Sequence, residues 1–443
     1  MKKFKKIMVV AMASLMALSS IAGCGDKEEN ISYPNGTPEF TGTEEMMIGA
    51  YWSPEPTLQA YQDAKDAGIT HMMINKTLGH PTFDSMGFYW LPTQYAEEVG
   101  MKVIVHSDNS GYKVLLDYFE DMKTNPVVEG VIGCDEPNVT KISMLASDYQ
   151  DFKKEFPDTP YWVNLFPDYA TSEQLGGVTW EKYVDTYKEK MLSKYDPNYR
   201  ILMCDCYPLM SGTNIYAKWL YNLEYLRKTA DSVDAELQMY MQAQGFLGRW
   251  RQPTRVSELT YQAYVYLAYG VNSISYYPWL TPGGGDDPNK GPIAEDNTPT
   301  YIYDFVKATN KEIQSFDEVY LDFDWKAVIG SVGTSNFQGE KCLNFANCKN
   351  LKSKYGVLGS VKSYKDALVG CFENEDGYQS FIVANFDQPK STFTNTVTLN
   401  FRGGVNKAIV YVKGVPETVD LVNGKLTKDL KAGEGLYVIP YKG

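Results

Sequence analysis

Val127-Val-Glu-Gly-Val-Ile-Gly-Cys-Asp-Glu-Pro-Asn138 joins an apolar run directly to two adjacent carboxylates and a proline. Val127, Val128, Val131 and Ile132 read as a short buried strand, and Gly130 and Gly133 leave room for close packing beside it. Pro137 cannot donate to a ladder and favours an extended Glu136, so the strand is expected to end there. An acidic pair at the tip of a buried strand is costly to desolvate. Two readings follow: a strand-end turn whose Asp135 and Glu136 face water, or a site of chemistry.

The same pattern recurs on both sides. Between Met46 and Phe316, short apolar runs alternate with amphipathic stretches of helical period. The runs are Met46–Ala50, His71–Asn75, Lys102–His106, Val127–Cys134, Tyr161–Leu165, Arg200–Cys204, Leu237–Ala243 and Ser273–Tyr277. Each precedes a helical stretch: Thr57–Ala67, one ending near Val99, Tyr112–Lys123, Val139–Phe156, Trp180–Lys194, Tyr216–Val233, Val256–Tyr269 and Tyr301–Phe316. Eight such units over roughly 270 residues predict a (β/α)8 TIM barrel spanning residues 44–318. An open doubly wound sheet would need a glycine-rich phosphate loop after the first strand, and Tyr51-Trp-Ser-Pro-Glu-Pro56 is not one.

In such a barrel, function sits at the C-terminal strand ends. These ends offer Trp52, Asn75, His106, Asp108, Asp135, Glu136, Asn164, Asp205, Tyr207, Gln242, Gln244, Tyr277 and Trp279. In the seventh run Leu237, Met239, Met241 and Ala243 fall on one face, while Gln238, Tyr240, Gln242 and Gln244 fall on the other, towards the interior or mouth. Acids, amides and aromatics at one rim suit a carbohydrate cleft. The decapeptide 283–292 that follows the eighth run reads as a solvated loop, with a flap or calcium loop as the alternative.

After Phe316 the period changes. Gln379–Asn385, Thr394–Phe401, Ala408–Tyr411 and Leu436–Ile439 are short runs between turn signals such as Asp376-Gly377 and Asn423-Gly424. They predict an all-β sandwich over residues 319–443.

Residues 1–23 combine Lys2, Lys3, Lys5 and Lys6 with an apolar stretch from Ile7 to Ile21, the form of an export signal. The polar stretch 24–43 suits a tether. Without residues 1–23 the chain keeps 38 basic against 55 acidic side chains, a net of −17. That balance argues against nucleic acid as a partner. The 34 tyrosines and eight tryptophans fit both a core and the flat faces on which sugar rings stack. Six cysteines besides Cys24 are too few for a disulfide scaffold, although Cys342 and Cys348 are spaced to pair. Three histidines outside any H-x-H or H-E-x-x-H spacing predict neither a metal site nor a cofactor. The weak metal alternative would use His80, His106, Asp108 and Asp205.

Leu18-Ser-Ser-Ile-Ala-Gly-Cys24 resembles the lipobox of bacterial lipoproteins, which implies lipidation at Cys24 and attachment to the outer face of the cell membrane. Gly133-Cys-Asp-Glu-Pro-Asn138 resembles the Asn-Glu-Pro and Asp-Glu-Pro signatures at the fourth strand of barrel glycoside hydrolases. Arg251–Gln262, Leu267–Gly270 and Ile274–Trp279 resemble the seventh-helix and eighth-strand region of β-galactosidase-like barrels. The resemblance implies glycan hydrolysis with Glu136 as general acid/base. A retaining enzyme would also need a strand-seven carboxylate about 5–5.5 Å away. Here stand Gln242 and Gln244, and an amide cannot form a glycosyl ester. Two routes remain. In β-N-acetylhexosaminidases and N-acetylgalactosaminidases with an adjacent Asp-Glu pair, the substrate's 2-acetamido group attacks. Resemblance then makes Asp135 its orienting residue and either Tyr207 or Tyr277 a donor to its oxygen. In the other route Asp205 is the base for a water, inverting the anomer across a gap of about 6.5–9.5 Å. A glycan-binding lipoprotein without catalysis is a third reading.

Overall fold

A computed structural model describes residues 31–74, 87–107, 125–212, 214–246, 248–282 and 289–443. Strands β1 (Met47–Tyr51), β2 (His71–Ile74), β3 (Lys102–His106), β4 (Val128–Asp135), β5 (Tyr161–Leu165), β6 (Ile201–Cys204), β7 (Glu236–Gln242) and β8 (Ser273–Tyr277) form a closed parallel barrel. It closes by pairing β1 with β8, Ile48 opposite Ile274. The strand runs are apolar because both faces are covered, one by helices and the other by the barrel's own interior.

The alternation read from the seventh run holds. Leu237, Met239 and Met241 join the layer under the helices. Tyr240 points inward, where it packs with Tyr51, Met73, Ile104, Ile132, Trp162 and Met203. The two glycines of β4 provide close approach: a Cβ on Gly130 would lie 2.7 Å from the Trp162 ring, and one on Gly133 would overlap the Tyr161 ring.

β9 (Asp324–Ser331), β10 (Leu358–Ser363), β11 (Ala367–Glu373), β12 (Gln379–Asn385), β13 (Asn395–Phe401), β14 (Lys407–Val412), β15 (Val415–Asp420), β16 (Lys425–Leu430) and β17 (Gly435–Tyr441) build the C-terminal domain. They form a six-stranded sheet (β15-β14-β17-β12-β11-β9) and a three-stranded sheet (β10-β13-β16), all antiparallel. The six-stranded sheet packs on the barrel helix Val256–Ala268, which is buried from Glu258 to Ala268. Contact is close because Gly370 lets the sheet meet the backbone of Ala268 and Gly435 admits the Tyr264 ring. The Trp325 indole donates to the Ala268 carbonyl at 3.0 Å.

Two expectations change here. From residue 31 the supposed tether lies against the β-domain: Tyr33 is buried, its hydroxyl donates to the Pro440 carbonyl at 2.8 Å, and Gly36 bridges to Lys442. Cys342 and Cys348 are free thiols rather than a pair. The signal stretch, Cys24 and the loop 283–288 lie outside the described residues.

Candidate active site

A cavity of about 290 Å3 opens at the C-terminal end of the barrel. Its walls bring together Asp135, the last residue of β4, Glu136 just after it, Asn164 of β5, Asp205 and Tyr207 after β6, Tyr240 of β7 and Tyr277 of β8. Tyr51, Tyr169, Phe246 and Trp250 complete the lining.

The turn after β4 is tighter than the proline implies. Glu136 has φ +46°, the left-handed region, instead of the extended conformation usual before proline. Its N–H donates to the Asn164 carbonyl at 3.0 Å, and Asn138 caps the next helix by accepting from the Lys141 N–H at 2.9 Å. The backbone is thus held on both sides of a conformation that costs energy, a common arrangement where a side chain must be aimed. Trp52, at the end of β1, shares the feature with φ +67°.

Asn164 ties the acids together, its Nδ2 donating to Asp135 Oδ1 at 2.8 Å and reaching Asp205 Oδ1 at 3.4 Å. Glu136 and Asp205 are close enough for each to shift the other's titration. Burial, and then the neighbouring Asp135, push the Glu136 carboxyl up to about 8, against the opposing effect of Asp205. Asp205 is raised well above the carboxylate range by burial, then by Glu136 and Asp135. Two neighbouring carboxylates away from water repel when both are ionised, so each holds its proton more tightly than a free carboxyl.

Aromatic rings form the rest of the wall. Tyr207 stacks on Tyr277 at 5.8 Å and 18°, and Phe246 sits against both. Burial, followed by nearby acids, raises the Tyr207 and Tyr240 phenols well above their ordinary value, which keeps them as neutral donors.

Several expected site residues serve other ends. Gln242 is fully buried and absent from the wall. Its Oε1 accepts from the Leu209 N–H at 2.9 Å, and its Nε2 donates to the carbonyls of Leu209, Gln244 and Arg251 at 3.2, 3.3 and 3.0 Å. It is a clamp between the loops after β6 and β7. Gln244 is buried outside the wall too, and Trp279 is fully buried among barrel and helix side chains, its ring 6.2 Å from that of Tyr303. His106 stands one layer back, within 3.3 Å of the Tyr51 hydroxyl. Trp52 packs beside the wall, 5.3 Å from the Tyr277 ring. Asn75, His80 and Asp108 lie outside the described residues.

Sequence reasoning missed Tyr169, Phe246 and Trp250. Phe246 and Trp250 bridge to each other in the loop after β7, and Met210 bridges to Trp250. The only available signal was aromatic residues in loops following predicted strands.

No protein-family model matches the sequence, and no similar sequence was found among curated proteins. Solved structures are similar in fold. A β-galactosidase from Bacillus circulans sp. alkalophilus superposes with a TM-score of 0.53 at 9% identity, over 89% of this chain and 99% of that one. A putative α-L-fucosidase from Bacteroides thetaiotaomicron VPI-5482 gives 0.42 at 12% identity over 63% of this chain and 99% of its own. A β-galactosidase from the psychrophilic Marinomonas ef1 gives 0.45 at 10% identity over 62% of this chain, which spans 60% of that enzyme. With the strand topology, the first likeness defines the class of fold: a (β/α)8 TIM barrel carrying a C-terminal all-β domain.

Proposed function

We propose that the protein is a glycoside hydrolase acting on glycans that carry a 2-acetamido group, with Glu136 as general acid/base. One observation carries the reading: three carboxyl groups, none of them on strand seven, converge in a cavity walled by aromatic rings. Aromatic faces bind the apolar faces of a sugar ring. Glu136 holds a proton at neutral pH and donates it to the leaving oxygen. The acetamido carbonyl attacks the anomeric carbon from the opposite face in place of a protein nucleophile. Asp135, fixed by Asn164, orients the acetamido N–H and balances the oxazolinium charge. Glu136, now deprotonated, then activates the water that opens the ring, so the anomer is retained.

The inverting route through Asp205 is the weaker reading. Its carboxyl is raised by burial and then by Glu136 and Asp135, which opposes a base role. We further propose that Cys24 carries a lipid, holding the barrel at the outer face of a membrane.

Aryl glycosides with and without a 2-acetamido group test the reading. Turnover is expected only with the group present, giving a retained anomer by proton NMR before mutarotation. Inversion overturns substrate assistance, and binding without turnover of any substrate overturns the enzyme. Glu136→Gln is expected to slow poor leaving groups by at least about a hundredfold.

A further inference from the structure

At the rim of the cavity, Arg249 stands exposed while its guanidinium is held by rings. The guanidinium carbon lies 4.8 Å from the centre of the Tyr169 ring, 4.7 Å from that of Trp250 and 6.0 Å from that of Tyr216. Tyr169 and Trp250 both line the cavity. The backbone under it is pinned, since Ser211 N–H donates to the Arg249 carbonyl at 2.8 Å and Ser211 Oγ to the Gly248 carbonyl at 3.3 Å. Among the described residues the guanidinium has no carboxylate or hydrogen-bond partner. The nearby acid, Asp168, is already engaged by Lys218 at 3.3 Å, by the Tyr216 hydroxyl at 2.8 Å and by Asn222 at 2.7 Å.

An arginine in a chain of net charge −13 would ordinarily pair with one of its many acids. Here ring stacking fixes the cation while leaving its fork of N–H donors open, which suits bidentate recognition of an oxyanion. Tyr169 and Trp250, the two rings nearest the Arg249 guanidinium, belong to the same cavity wall as Asp135, Glu136 and Asp205. Resting on the glycosidase reading, we propose that Arg249 determines specificity by binding an anionic substituent, a carboxylate or a sulfate ester, on the sugar adjoining the bond cleaved.

The test uses three disaccharide probes with a 2-acetamido sugar at the non-reducing end: a neutral reducing unit, a uronate, and a sulfate ester. Their affinities are titrated on Glu136→Gln, which retains the pocket, with and without Arg249→Ala and Arg249→Lys. The anionic probes are expected to bind Glu136→Gln at least about tenfold tighter than the neutral one, a preference that salt weakens. Arg249→Ala abolishes the preference without changing neutral binding, and Arg249→Lys restores part of it. The uronate and sulfate arms show which oxyanion fits. In the catalytic background, Arg249→Ala raises KM for the anionic probes and leaves kcat unchanged. Equal affinity for charged and neutral probes, or a preference that survives Arg249→Ala, overturns the proposal. Anionic preference without turnover by the unmutated protein overturns the glycosidase reading alone.

Discussion

Replacing Asp135 by asparagine keeps the shape of the side chain, and the amide oxygen can still accept from Asn164 Nδ2. What is lost is a negative charge beside Glu136. The Glu136 carboxyl is lifted from an ordinary 4.5 to about 8, with burial the larger cause and Asp135 the second. Removing the lesser cause should lower it. The alkaline limb of kcat/KM, which reports the acid in the free enzyme, should move from near pH 8 to lower pH. The plateau should fall as well, by roughly 2–4 kcal/mol of barrier on 2-acetamido glycosides, the scale of losing one electrostatic stabiliser. Full pH profiles of Asp135→Asn on matched substrates with and without the acetamido group read both effects. A limb that stays in place or moves upward refutes the electrostatic coupling. An equal fall on both substrates refutes the role of Asp135 in holding the acetamido group.

The raised Glu136 carboxyl also bears on stability. The folded protein keeps a proton up to about pH 8 that the unfolded chain releases near 4.5, so stability should decline as pH rises through that window. Glu136→Gln should flatten the decline and raise Tm at pH 8 but not at pH 4.5; parallel melting curves against pH for the two proteins would contradict it. Gln242→Ala should cost about 2–4 kcal/mol in urea unfolding, because it strands buried partners at Leu209, Gln244 and Arg251. A shift in sugar preference with no loss of stability would instead return Gln242 to the substrate. Cys24→Ala should move the protein out of the membrane fraction, and unchanged fractionation would refute lipidation there.

The barrel strands were legible because parallel strands covered on both faces become apolar runs, and the described ones begin and end within a residue or two of those runs. Asp135, Glu136, Asn164, Asp205, Tyr207 and Tyr277 were legible as strand-end polar and aromatic groups, and the structure brings them to one cavity. Gln242 was misread because inward parity says which way a side chain points, while the loops it meets are decided by tertiary packing. Trp279 was misread because a residue two positions beyond β8 no longer follows the strand's alternation. Strands β15 and β16, Val-Pro-Glu-Thr-Val-Asp and Lys-Leu-Thr-Lys-Asp-Leu, are too polar to announce themselves. Their partners in the sheets supply the order that their own composition does not.

The helix Val256–Ala268 belongs to two layered architectures at once. It is a member of the barrel's outer ring and also the surface on which the six-stranded sheet rests, so neither unit has a finished exterior without the other. A chain cut after the barrel would present Tyr261, Tyr264 and Ala268 to water, since Phe386, Gly435 and Gly370 of the β-domain cover them, an apolar face of the kind that drives aggregation. Heat should therefore melt the barrel and the sandwich in one transition. The C-terminal domain is thus a fixed wall of this molecule and not a detachable module.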